Sequence, residues 1–93
     1  MDHYTGRIVR AEAGRDQNGL FFVMGMAGTD LLLADGKRRK SARPKRKNQR
    51  HVQPMDAAQW NHPTVRKLQQ GEPVSDRELR RALAAFKEGI TFG

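Results

Sequence analysis

The sequence predicts a mostly β protein with α structure: a small β-barrel of about five strands followed by a C-terminal helical segment. Over residues 6–54 the apolar residues form short clusters between turn-forming residues, which is typical of short strands. From residue 55 onward they recur at helical spacing. A chain of 93 residues has room for one small domain. We therefore expect the barrel (residues 1–54) and the extension (residues 55–93) to pack together.

The predicted strands are apolar clusters separated by turns. Four of them are centred on residues 8–9, 20–24, 31–34 and 49–53. The second and third are predicted to form a hairpin, because a short loop with Gly28 joins them. Asp35-Gly36 predicts the next turn, and Pro54 ends the last strand. Short strands at this density predict a closed or nearly closed barrel, since closure hides the sheet edges.

The best-marked helix of the extension starts after Ser75. Ser75 is predicted to be its N-cap, with Glu78 reaching back to the cap and Val74 packing on Leu79. The apolar stripe consists of Leu79, Ala82, Leu83 and Phe86. Gly89 is predicted to end the helix. The opposite face carries Arg77, Arg80 and Arg81, which we expect to be ordinary solvated residues.

A shorter helix is predicted over residues 63–70, with Asn61 as its cap and Gly71 after its end.

The aromatic residues are assigned to packing. Adjacent strand residues face opposite ways, so we expect one of Phe21 and Phe22 in the barrel core and the other under a helix. Base stacking by the outer ring is the alternative. Tyr4 and Trp60 flank the barrel and are expected to cover its ends.

Half of the basic residues lie in residues 37–50, which we call the basic run. It holds nine Lys and Arg residues and no acid, so the net charge of +8 is local. Like charges at this density repel one another and gain nothing from a core, so a polyanion, first of all nucleic acid, is the expected partner. A solvated loop is the alternative. Because a turn and a strand bound the run, we expect a loop or edge segment of the barrel.

The residue types that enzymes and metal sites use are sparse. The absence of cysteine excludes a disulfide, a thiolate metal site and a cysteine nucleophile. The three histidines lie far apart in the sequence, and Ser41 and Ser75 have no base beside them. The glycines match neither the P-loop nor the dinucleotide fingerprint. We predict no enzymatic activity, no cofactor and no metal.

The apolar segments are too short for a membrane protein. The longest, residues 20–26, is far below the ~20 residues that a spanning helix needs. The first residues lack the basic and apolar regions of a secretory signal, and the absence of cysteine fits a reducing compartment. These features predict a soluble cytoplasmic protein, without a membrane partner, that we expect to be a monomer.

The first half of the chain resembles the KOW motif of large-subunit ribosomal proteins of the fourteen-e, six-e and twenty-seven-e type and their small bacterial relatives. Ile8-Val9 supplies the first hydrophobic strand, Gly14 the loop glycine and residues 21–23 the second strand. In that family the next hairpin ends in an Asp-Gly turn before a basic stretch, which resembles residues 31–47 here. The resemblance covers residues 6–53. It departs from the pattern at Gln17-Asn18, where a basic residue or a glycine is expected.

The resemblance implies an SH3-like β-barrel that binds RNA, often on the ribosome. Our working hypothesis is therefore an RNA-binding protein of the ribosome or another ribonucleoprotein, which acts in translation. Its partners would be structured ribosomal RNA and also ribosomal proteins. The predicted RNA-binding residues are Gly14, Arg15, Lys37, Arg38, Arg39, Lys40, Arg43, Lys45, Arg46, Lys47 and Arg50. Two alternatives stay open: a protein-interaction module of the transcription or translation machinery, and a DNA-binding architectural protein.

Overall fold

The computed structural model of the protein describes residues 3–12, 14, 18–56 and 60–92, with side chains as far as residue 89. It contains a five-stranded antiparallel sheet and two helices. The strands are β1 (Ile8–Ala11), β2 (Leu20–Ala27), β3 (Asp30–Ala34), β4 (Lys45–Lys47) and β5 (Val52–Pro54). The helices are α1 (Pro63–Gln69) and α2 (Asp76–Phe92), and a 3-10 turn covers Gln49–His51. The predicted hairpin of the second and third strands is confirmed as β2–β3.

The strand order is β4-β3-β2-β1-β5. The described strands form a sheet that does not close into a barrel, so the prediction of a closed or nearly closed barrel was wrong. Val52 follows Lys47 by five positions, which an extended chain spans in at most about 17 Å. The edges of a flat sheet in this order would lie about 19 Å apart. The sheet must therefore curl enough to bring its two edges closer together than in a flat sheet. The 3-10 turn forms most of the connection between β4 and β5. These two edge strands of the described sheet are joined by that turn and do not pair with each other.

The last strand is shorter than predicted because its first residues form that 3-10 turn. The side chain of Asn48 accepts a hydrogen bond from the amide of Arg50 at 2.9 Å. The carbonyl of Asn48 accepts one from the amide of His51 at 3.0 Å. Local capping of this kind competes with ladder pairing, so β5 begins only at Val52.

Two apolar cores lie on opposite faces of the sheet. One lies among the strands and contains Val9, Ala11, Phe21, Val23, Leu31, Leu33 and Val52. The other lies between the sheet and the helices and contains Ile8, Phe22, Ala34, Val65, Leu68, Val74, Leu79, Ala82, Leu83 and Phe86. Phe21 and Phe22 thus separate as predicted, with Phe22 under the helices. Tyr4 packs on the first core, and Trp60 packs on the second instead of on an end of a barrel.

The start of α2 agrees with the sequence, but its end does not. The amide of Glu78 donates to Ser75 Oγ at 3.1 Å, which confirms the cap. The carboxylate of Glu78 does not reach back; it pairs with Lys67 Nζ of α1 at 3.1 Å. The helix continues through Gly89 to Phe92, because an exposed glycine costs a helix only about 1 kcal/mol.

Helix α1 confirms the shorter predicted helix but has a different cap. The Nδ1 atom of His62 accepts from the amide of Thr64 at 3.1 Å, so His62 replaces the predicted Asn61 at this position. The Asn61 side chain instead accepts from Arg66 Nε at 3.0 Å. Gly71 follows the helix with φ +75°, the left-handed conformation that glycine supplies after helix ends.

The turn after β3 packs directly on the start of α2. Gly36 is buried and has φ +79°. A Cβ atom at this position would overlap the carbonyl oxygen of Asp76. Gly36 is therefore required both by its backbone conformation and by the close approach of the helix.

We predict that Gly36→Ala lowers the free energy of unfolding by about 2–4 kcal/mol, because it adds a steric overlap to left-handed strain. Gly28→Ala is the matched control, since Gly28 has φ +63° but an added Cβ would meet no atom within 4 Å. Strain alone should cost about 1 kcal/mol there. Chemical denaturation measures both variants, and equal losses would contradict the assigned role of the close contact.

Candidate nucleic-acid interface

The basic run begins in a closed turn. Asp35 Oδ1 accepts hydrogen bonds from the amides of Lys37 and Arg39, each at 2.9 Å. The amides of Asp35 and Gly36 donate to the carbonyl of Arg39 at 3.0 and 3.1 Å. The Asp-Gly turn predicted from the sequence is thus confirmed. Its hydrogen bonds fix the backbone while the side chains of Lys37 and Arg38 stay exposed.

Helix α2 holds the middle of the run. The amide of Ser41 donates to Asp76 Oδ1 at 2.6 Å. The Nη1 group of Arg80 donates to the carbonyl of Gly36, just before the run, at 2.7 Å. Arg80 was expected to be an ordinary solvated residue, and that prediction was wrong for this side chain. Both contacts join α2 to backbone atoms and leave the basic side chains of the run out of the anchorage.

The second half of the run contains edge strand β4. Its register with β3 pairs Lys47 with Leu31, Arg46 with Leu32 and Lys45 with Leu33. Side chains alternate along a strand, so Lys45 and Lys47 share the face of the core among the strands, and Arg46 lies on the other face. The run therefore includes an edge segment of the sheet, as the sequence predicted. Lysines are common on edges because they oppose pairing with another chain.

Arg46 makes an exposed ion pair within the sheet. Its Nε lies 2.9 Å from Asp30 Oδ2, and the Arg46 side chain is 64% exposed. An ion pair this accessible contributes about 0–1 kcal/mol. A phosphate can therefore compete for the guanidinium at little cost.

The end of the run is also attached to the sheet. The Nε2 group of Gln49 donates to the carbonyl of Thr29 in the β2–β3 turn at 2.7 Å. The carbonyl of His51 accepts from the amide of Glu12 at 2.8 Å. The run is thus held at its start, middle and end, and it is a built part of the domain.

The β1–β2 loop meets the run at β4. Gly14 is exposed with φ +84°, and an added Cβ would lie 3.4 Å from Lys47 Nζ. The structure thus brings together two of the predicted site residues that are far apart in the sequence. Arg15, the other predicted residue of this loop, lies outside the described residues.

The predicted cations differ in exposure. The exposed ones are Lys37, Arg38, Lys40, Arg43, Arg46 and Arg50, and the half-buried ones are Arg39, Lys45 and Lys47. Asp76 and Arg80, which hold the run, were not among the predicted site residues. A sequence does not show which face of a helix meets the run, and their contacts join residues 35 and 44 positions apart. Their only local signal is the i, i+4 spacing of an acid and a base.

No protein-family model and no curated protein matches the chain. Among the described residues there is no group of three or more His, Asp or Glu side chains arranged to hold a metal ion. None of the described helices is long and apolar enough to cross a membrane. The geometry and charge of the basic run make it the candidate functional site.

We predict that Asp76→Ala accelerates hydrogen exchange of the Ser41 amide by about tenfold or more, because a bond to a charged acceptor contributes about 1.5–3 kcal/mol. Asp76→Asn is the control, since its side-chain oxygen still accepts a hydrogen bond and should retain part of the protection. Exchange at the Phe22 amide reports any global loss of stability. An unchanged Ser41 rate in Asp76→Ala would contradict the anchor.

Proposed function

We propose that the protein binds structured RNA through the basic run, as a component or partner of the ribosome or another ribonucleoprotein. The observation that carries the proposal is a run of nine cations without an acid whose backbone pairs with β3 and is bonded to α2. Cations on a folded support lose less conformational freedom on binding than those of a flexible tail. The run is accordingly a phosphate-binding surface with a fixed geometry.

Phosphate contacts position a protein on a nucleic acid without reading its sequence. Double-stranded RNA is recognised mostly through its shape and through 2′-hydroxyl and phosphate contacts. Among the residues whose side chains are described, no Phe, Tyr or Trp is exposed, so these rings give little support to stacking on bases. We therefore infer that the run recognises the spacing of phosphates on folded RNA.

Several features support the KOW-type interpretation. Strands β1 and β2 pair antiparallel around a loop with Gly14 at positive φ. Strand β3 ends at an Asp-Gly turn that leads into the run. The sheet is open between β4 and β5, which departs from the closed SH3-like barrel that the resemblance implies. On this basis we propose a cytoplasmic role in translation without catalytic activity.

We predict that the triple variant Lys45→Ala, Arg46→Ala, Lys47→Ala weakens binding to structured RNA on the order of 100-fold at ~0.15 M salt. Neutralising ~5–7 phosphates gives the wild type a log-log salt slope of roughly −4 to −6. Losing three contacts should make that slope shallower by about 2–3. Fluorescence anisotropy titrations at several salt concentrations measure both quantities.

The control triple variant is Arg66→Ala, Arg77→Ala, Arg81→Ala, which removes the same charge from exposed helix positions. If net charge alone governs binding, both triple variants lose the same affinity, and the basic run is not the interface. Duplex DNA is titrated beside the RNA. Tighter binding of DNA would replace the RNA assignment with the architectural alternative. A partner that survives nuclease treatment in a pull-down, with no RNA binding, would favour the protein-interaction alternative.

A further inference from the structure

A cleft of about 470 Å³ lies between the start of the basic run and helix α2. Three parts of the chain form it: the start of β2, the turn after β3, and one side of α2. Its lining residues are Asn18, Gly19, Leu20, Asp35, Lys37, Arg38, Arg80, Leu83, Ala84 and Lys87. Its volume falls within the ~300–1,000 Å³ of typical ligand sites.

The rim of the cleft is strongly basic. It carries Lys37, Arg38, Arg80 and Lys87 against one acid, Asp35. The Oδ1 atom of that acid accepts hydrogen bonds from two backbone amides of the turn. These amide dipoles offset part of its negative charge. No hydrogen bond or ion pair joins the side chains of Lys37 and Arg38 to another described residue. The rim therefore favours an anion.

The floor of the cleft is apolar. Leu83 is 5% exposed and belongs to the core between the sheet and the helices, and Leu20 packs against the same core. Ala84 is exposed at the side of the cleft. A phosphate makes no favourable contact with an apolar floor, whereas the flat apolar face of a base can be buried against it. The Asn18 side chain at the mouth offers an amide to a base edge.

We propose that this cleft holds one unpaired nucleotide of the bound RNA, with its base against Leu20, Leu83 and Ala84 and its phosphate among the rim cations. The inference rests on the proposed function. Paired bases lie inside a duplex, whereas bases of loops and bulges can turn outward into a protein. Lys37 and Arg38 belong both to the cleft and to the basic run. The nucleotide in the cleft is therefore part of a strand whose neighbouring phosphates follow the run.

This placement gives α2 a direct part in RNA binding. Arg80 both lines the cleft and bonds to the carbonyl of Gly36, and a guanidinium has further N–H donors for a phosphate. Ala84 and Lys87 continue the same side of the helix by one and two further turns. The bound strand would then lie between the turn after β3 and this side of α2.

The test compares two RNA hairpins that differ only in one bulged nucleotide, titrated with the full chain. The wild type should bind the bulged hairpin about fivefold or more tighter than the fully paired one, because the face of the base is buried against an apolar floor. Ala84→Trp fills the cleft without changing charge and should abolish that preference, with the affinity for the paired hairpin changed less than twofold. Ala85→Trp is the matched control, because Ala85 is exposed on α2 but does not line the cleft.

A second pair of variants protects the test against a folding defect. Ala84→Glu places an anion in the cleft and should also remove the preference for the bulge, whereas Ala85→Glu carries the same charge outside it and should retain the preference. Adenosine monophosphate should not compete measurably at concentrations that saturate the protein with RNA. Competition as strong as that of the bulged hairpin would mean that the cleft binds free nucleotides, and the proposal would be wrong.

The results distinguish a failure of the cleft proposal from a failure of the proposed function. If the wild type binds both hairpins equally with a steep salt dependence, the basic run binds RNA and the cleft proposal is overturned alone. Equal behaviour of the Ala84 and Ala85 variants overturns it in the same way. If the wild type binds neither hairpin, both proposals are overturned. Loss of the preference only in the Ala84 variants supports the cleft site.

Discussion

The arrangement of the molecule depends on how a segment of like charges is kept on a folded domain. The anchors act on the backbone of the turn and the run: Asp35 binds the amides of Lys37 and Arg39, and Asp76 binds the amide of Ser41. Arg80 binds the carbonyl just before the run. Repulsion among the basic side chains is therefore offset by hydrogen bonds that do not use those side chains. These backbone bonds hold the turn while the side chains of Lys37 and Arg38 stay exposed.

The position of the acids follows from the same constraint. Asp35 and Asp76 lie beside the run and lower its local repulsion, and the Oδ1 atom of each accepts from the backbone of the run. Asp30 differs, because it pairs directly with Arg46 in an exposed position. A pair of that kind is weak and screened by salt. The run thus combines backbone anchors with side-chain contacts, among them the exposed pair of Arg46 and Asp30, which a phosphate can replace.

Local patterns in the sequence predicted most elements but not their closure or their long-range contacts. The apolar clusters at Ile8 and Phe22 and the stripe from Leu79 to Phe86 are signals of neighbouring residues, and the structure confirms them as strands and a helix. The 3-10 turn depends on the single Asn48 cap, which resembles many loop asparagines. The contact of Gly36 with Asp76 joins distant residues, and only tertiary packing brings them together. The basic run was therefore predicted in composition, while the contacts that hold it and the cleft beside it were not.

Helix α2 links the stability of the core to the geometry of the interface. Its apolar stripe is buried in the core between the sheet and the helices, and its first turn carries the acceptor for Ser41. Its adjacent side carries Arg80 and continues along the cleft. Because these contacts belong to one rigid element, a change that loosens the stripe also releases the turn after β3 and the middle of the basic run. The free energy of packing Leu79 and Phe86 is thereby coupled to the placement of cations that lie outside the core.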